Sequence, residues 1–340
     1  MNLQSVFCPN EGCPDKGVKG KGNIGCHDRV RQRCKCHSCG RTFSYRQGTL
    51  FYGLRTEEGM VTQVVTLLAY GCPTQAIVAA FGFDERTVMD WQHRAGQHAQ
   101  RVHENYIKPL SLEHVQADEM RIELQGQRVL WVAMAIMVSS RLWLGAVVSV
   151  HRDSDLIDRL AQLVRRWAQK VALFIAFDGF AADPDAFEKA CSDRGVGSWG
   201  RTVKGVVWDC LSLVQVVKHK ANGQFRIARY VLRGSCTMLA RLRTHTQGEG
   251  VINTAFIERL NGTFRAYLAP FARRTHGLAR TELTVTHAVF LLGTVYNFCR
   301  LHTTLKHFTP AMAAHLTDHI WTVSELLWFR PRCSLSCSTV

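Results

Sequence analysis

Three acidic residues stand where a carboxylate could do chemistry. Asp118 lies in "VQADEM", Asp178 in "AFDGF", and Glu258 in "NTAFIERLNGTFRAYLAPFARR", a segment with one acid among four arginines. Three carboxylates brought together repel one another unless a cation sits among them. Oxygen donors of this kind suit Mg2+ or Mn2+. Two such ions, about 4 Å apart, can activate an attacking oxygen and stabilise a leaving one in an in-line phosphoryl displacement. The arginines would hold a phosphate backbone, and the acids the metals that cut it. Blander roles compete: Asp178 could cap the turn after its strand, and Glu258 could pair with Arg259 or Arg265. Glu119 competes with Asp118, but strand alternation sends one of the two to the wrong face, and Asp118 is preferred. Asp209, in "VVWDC", is a weaker substitute for Asp178.

A second set is thiol-based. Six of the thirteen cysteines fall in the first forty residues: Cys8, Cys13, Cys26, Cys34, Cys36 and Cys39. In a reducing compartment such clusters are metal ligands more often than disulfides. "CPNEGC" gives a C-x4-C pair and "CHSC" a C-x2-C pair. The expectation is one structural zinc on Cys8, Cys13, Cys36 and Cys39, a closed tetrahedral shell that lets a segment with almost no core fold. Cys26, His27 and Cys34 compete as ligands. The knuckle spacing of "CHSCGRTFS", followed by strand-forming residues, favours Cys36.

The elements around these residues divide the chain. Residues 1–50 read as a basic zinc ribbon, with Arg31, Arg33, Arg41 and Arg46 as phosphate contacts whose binding should weaken with salt. Residues 51–97 read as a helix-turn-helix. "TEEGMVTQVVTLLAYG" has helical apolar spacing; "CPTQAIVAAFGFDERTVMDWQHRAG" then gives a short helix, a turn at Gly82 and a helix capped by Asp84. Arg86 and Arg94 point outward from it toward nucleic acid. Residues 98–112 read as a linker.

From 113 to about 310 the pattern is α/β. "EHVQADEMRIELQGQRVLWVAMAIMVSSRLWLGAVVSV" holds three strand-like runs, Asp153 to Lys170 is an amphipathic helix, and "VALFIAFDGF" is a buried strand. That order, a mixed sheet with helices, matches the start of an RNase H-like fold. In such a core the first and fourth strands are neighbours, so Asp118 and Asp178 can meet, and Glu258 arrives from a helix beside them. On that helix Ile252, Phe256, Leu260, Phe264 and Leu268 form the inward stripe, while Glu258, Asn261 and Arg265 share another face. Residues 183–250 read as an insertion, strand-like in part. Residues 311–340 form a tail with short packed helices.

The net charge is +15 and the pI about 9.5, which points to a polyanionic partner. The longest apolar region is broken by Ser139, Ser140 and Arg141, leaving halves too short to span a bilayer as helices. No apolar run follows a basic start as in a secretory signal. The expectation is a cytoplasmic, nucleoid-associated protein with no membrane and no small-molecule substrate.

Taken together, "CHSCGRTFS", "ADEM", "FDG", "FIERLNGTFRAYLAPFARRT" and "YNFCRLHTTL" followed by "TP" resemble bacterial insertion-sequence transposases of the DDE, retroviral-integrase-like type. The chain is most similar to the family named after the first bacterial insertion sequence found. The resemblance covers nearly the whole chain. It implies an acidic triad of Asp118, Asp178 and Glu258 with two Mg2+ or Mn2+ ions. Arg265 would contact the element end near that site, and Arg259, Arg273 and Arg274 would line the same DNA. The partners implied are element ends and target DNA, held by a homodimer or higher assembly. A departure is the gap of eighty positions between Asp178 and Glu258, longer than in simpler members. Two other classes compete: a DNA-binding regulator whose core has lost activity, and a repair nuclease with the same core.

Overall fold

Short strands tied by cysteines open the structure. β1 (Ile24–Asp28), β2 (Arg33–Cys36) and β3 (Thr42–Ser44) form a three-stranded antiparallel sheet. Its interior holds only Val6, Ile24 and Phe43 besides four cysteines. So little apolar area cannot by itself offset the chain entropy of ordering the segment. The computed structural model describes residues 1–178, 183–196, 202–221, 224–248, 250–272 and 277–331.

Three helices follow: α1 (Glu58–Ala69), α2 (Thr74–Phe81) and α3 (Glu85–Tyr106). Val61, Val64, Val65 and Leu68 form the buried stripe of α1 at helical spacing. Gly82 ends α2 in the left-handed conformation, and the Asp84 carboxylate caps α3 by accepting from Arg86 N at 2.8 Å. The linker expected over 98–112 is instead helix as far as Tyr106, with Ala99 and Val102 fully buried. The apolar positions of "QHAQRVHENY" are few and small, so the stretch reads as polar until a partner helix covers it. That partner approaches closely: a Cβ on Gly96 would lie 2.3 Å from the carbonyl oxygen of His287.

The central sheet has six strands: β4 (His114–Glu123), β5 (Val129–Met137), β6 (Trp143–Ser149), β7 (Leu173–Asp178), β10 (Leu211–Ala221) and β11 (Gln224–Arg233). The helix α4 (Ser154–Trp167) lies before β7. Between β7 and β10 come α5 (Asp183–Ala190) and the separate ribbon of β8 (Ser192–Val196) and β9 (Thr202–Val207). The strand order is β11-β10-β7-β4-β5-β6, with β4, β7 and β10 mutually parallel and the other pairs antiparallel. The helices α6 (Cys236–Gln247), α7 (Ala255–Tyr267), α8 (Glu282–Phe298), α9 (Pro310–Ala313) and α10 (Val323–Trp328) complete the chain.

The chain thus has a mixed α/β core, as expected. Met120, Ile122, Leu130, Val132 and Met134 pack under α7 and α8, and the alternate residues Val115, Ala117, Ala133 and Ala135 pack under α4. The periodicity expected for α4 holds: Leu156, Ile157, Leu160, Val164 and Trp167 are buried. Residues 183–250 are not simply an insertion, because β10 lies in the sheet, parallel to β7. Of the described elements in that stretch, α5 and the β8–β9 ribbon lie outside the six-stranded sheet, β11 forms its edge, and α6 packs on β7 and β10. The N-terminal helices share one apolar cluster with the sheet and with α10. Among the described residues no helix is long and apolar enough to cross a membrane.

Candidate metal centres and nucleic-acid interface

Parallel pairing sets two of the acids side by side. Ala117 lies opposite Phe177, so the next residues, Asp118 and Asp178, stand together at the carboxyl ends of β4 and β7. Val216 lies opposite Asp178 on the other side, which puts Lys218 two residues further along the same face of β10. Open α/β sheets bind ligands at this end of their parallel strands. Asp209 precedes β10, at the end of the sheet marked by Leu173, away from the other acids.

The third acid is brought in by a buried amide. Gln116, fully buried two residues before Asp118, accepts from Phe256 N at 2.9 Å and Ile257 N at 3.1 Å and donates to Asn253 O at 2.7 Å. It thereby satisfies first-turn N–H groups that a helix leaves unpaired and fixes α7 over β4. Sequence reasoning missed Gln116; the available signal was a polar residue on the same alternation as Asp118 in "VQADEM". The inward stripe of α7 is Ile257, Leu260 and Phe264 with Asn261 buried among them. Phe256, expected in that stripe, is half-buried under Arg141, and Ile252 precedes the helix.

Asn261 joins α7 to the site by donating to Asp118 Oδ2 at 2.7 Å. The amide oxygen of Asn261 is buried with no protein partner. Glu119 faces elsewhere and is paired with Arg152, whose guanidinium lies over Trp131. Burial first, then the charge of Glu119 and the fields of Asp178 and Glu258, push the Asp118 carboxyl up to about 7. The backbone N–H of Glu119 works against that rise. Like charges around a partly buried carboxyl favour its protonated form, and a positive charge nearby would offset them.

Lys218 supplies part of that charge. Its ammonium pairs with Glu258 Oε1, which also accepts from the Thr254 hydroxyl at 2.7 Å. Although burial opposes it, these two bonds hold Glu258 below the usual glutamate range. Burial likewise opposes the Lys218 charge, but Glu258, with Asp178 and Asp118 behind it, raises its pKa. Asp178 and Glu258 are near enough for their fields to reach Asp118, but the three carboxylates do not close on a common point. Among the described residues, the four-cysteine group is the one whose ligand atoms all lie within 4.8 Å of each other.

That cysteine group is Cys8, Cys13, Cys36 and Cys39, with Sγ atoms of Cys8 and Cys39 3.6 Å apart and those of Cys13 and Cys36 3.7 Å apart. A tetrahedral zinc with bonds of about 2.3 Å asks for sulfur separations near 3.8 Å, so the cluster could hold a zinc ion. Of the competing residues, Cys26 is exposed, and Cys34, opposite it across β1 and β2, packs into the ribbon interior. The Asn10 and Asn23 amides donate to Cys39 and Cys36 sulfurs. The Arg41 backbone N–H and the Asn10 amide draw the Cys39 thiol down to about 6, while burial pushes Cys8 up to about 12.

The arginines expected at nucleic acid differ in their surroundings. Arg31, Arg41, Arg86, Arg94 and Arg259 are exposed, with Arg94 paired to Asp90 along α3. Arg33 donates to Thr42, and Arg265 is half-buried on α7. Arg46 is committed inside the protein, bonded to Glu58, Gln32 and the Leu54 carbonyl where the ribbon meets α1. Arg273 and Arg274 lie outside the described residues. No protein-family model matches the chain, and no curated protein matches it.

Proposed function

We propose that the chain is a DNA transposase of the DDE type, built on an RNase H-like core and similar to those of bacterial insertion sequences. The observation that carries this reading is the placing of Asp118 and Asp178 side by side at the carboxyl ends of parallel strands, with Glu258 on the helix beside them and Asp118 raised to about 7 by burial and then by the neighbouring acids. The strand order β6-β5-β4-β7-β10, three antiparallel strands followed by two parallel ones, supports the core assignment. The three carboxylates would hold Mg2+ or Mn2+, which when bound activates the attacking oxygen and stabilises the leaving one. Gln116 sets the helix that carries Glu258. Asn261 fixes the Asp118 carboxylate and offers its free amide oxygen to water in the site. Lys218 sits where it can exchange its bond to Glu258 for one to a phosphate oxygen. The ribbon and α1–α3 would grip the inverted-repeat ends, Arg265 would touch the end near the acids, and two ends would be paired by a homodimer or higher assembly. The freed 3′ hydroxyl would attack target DNA by the same displacement.

The test uses duplexes copied from the DNA flanking the gene. With Mg2+, the wild type should cut one strand at the element end, while Asp178→Asn and Glu258→Gln should bind the ends but not cut. Cleavage that survives both substitutions would remove the acidic site from the reaction.

A further inference from the structure

A cationic cleft on α7 is lined by Arg259, the residue next to Glu258. It has a volume of about 220 Å3 and is lined by Arg141, Phe256, Arg259, Arg300 and His302 among others, with no Asp or Glu. Arg141 comes from the turn between β5 and β6, where it holds a φ of 59° that a non-glycine residue seldom adopts. Its guanidinium lies 4.0 Å over the Phe256 ring; that of Arg300 lies 3.9 Å over the Tyr267 ring. Stacking holds both forks in fixed planes and leaves their edges for acceptors. Each has a buried Nη1 with no hydrogen-bond partner. Among the described residues no carboxylate pairs with Arg141, Arg259 or Arg300. The buried, unpartnered Nη1 atoms of Arg141 and Arg300 cost free energy through desolvation, and the exposed Arg259 adds repulsion, costs that an anion removes. Arginine forks match the oxygens of phosphate.

We propose that this cleft is a binding site for one phosphate group. Glu258 and Arg259 are successive on α7 and so point about 100° apart, one toward the sheet end and the other into the cleft. Resting on the transposase reading, the phosphate belongs to the backbone of the DNA strand near the one being cut. The site's own chemistry asks only for phosphate, so a free phosphate is the alternative source.

Thermal unfolding in inorganic phosphate, against chloride at equal ionic strength, reads the pocket without DNA or catalysis. The wild type should gain several degrees from phosphate, and Arg300→Gln and Arg141→Gln should lose that gain. Arg259→Gln, on an exposed side chain, covers a folding failure in either. No gain, or an equal gain in all folded variants, overturns the proposal. Salt titration of DNA binding then distinguishes the sources. For a strand phosphate, each variant should bind about five- to tenfold more weakly, with a log–log salt slope shallower by about 0.7 to 0.9 for one lost contact. An unchanged slope, with the phosphate gain still dependent on the pocket, assigns the site to free phosphate. Cleavage that survives Asp178→Asn and Glu258→Gln in the function test, with the phosphate gain intact, would sink the enzyme reading and leave the pocket standing.

Discussion

Asp118→Asn should make the metal-free protein more stable, and more so as pH rises. In the wild type the folded carboxyl is raised from 3.8 to about 7, chiefly by burial. The sign follows from proton binding: between these values the folded state holds a proton that the unfolded state has lost. Stability is therefore greatest below about pH 4 and falls as pH rises through 7. At about 1.4 kcal/mol per unit, this carboxyl costs the fold about 4 kcal/mol at pH 8, where it is ionised, and about 1.5 kcal/mol at pH 5, where the folded state must take up a proton. Asparagine keeps the shape, and the Asn261 amide can turn so that its unpartnered oxygen accepts from the new side chain. Urea unfolding in zinc-replete, magnesium-free buffer, followed by tryptophan fluorescence, measures the margin between the two proteins. It should be about 2 to 3 kcal/mol wider at pH 8 than at pH 5. Millimolar Mg2+ at pH 8 should then stabilise the wild type but not the variant. A margin that does not change with pH would refute the idea that Asp118 is a carboxylate short of a cation.

The other predictions concern the two cations the sequence calls for. Lys218→Met removes the ammonium that holds Glu258, so Mn2+ should bind the acidic site several-fold more tightly, about 1 kcal/mol for a half-exposed pair. A Mn2+ titration followed by electron paramagnetic resonance measures this; unchanged or weaker binding would show that Lys218 does not compete for the site. Cys36→Ser opens the four-sulfur shell, so metal analysis should fall from one zinc per chain to well below one, and protease should cut within residues 1–50 while the central sheet persists. A full zinc complement in that variant would exclude Cys36 as a ligand.

Much of this protein was legible from residue types and spacing. The C-x4-C and C-x2-C knuckles named four sulfurs that lie within 4.8 Å of one another, because tetrahedral coordination imposes its spacing locally. Helical periodicity gave α1 and α4, and alternation separated Asp118 from Glu119, because both patterns follow directly from backbone geometry. Tertiary structure decided the rest. The second half of α3 looked like a linker because its buried face exists only against distant segments: α8, α10 and β6. β10 looked like part of an insertion because only pairing with β7 brings it into the sheet. Arg46 looked free for phosphate, yet Glu58 and Gln32 hold it. Gln116, Lys218 and Arg141 carry no motif at all, and Arg259 and Arg300, though they lie in quoted segments, show no common cleft there. Their roles depend on what a distant segment places beside them, and a linear sequence does not contain that distance.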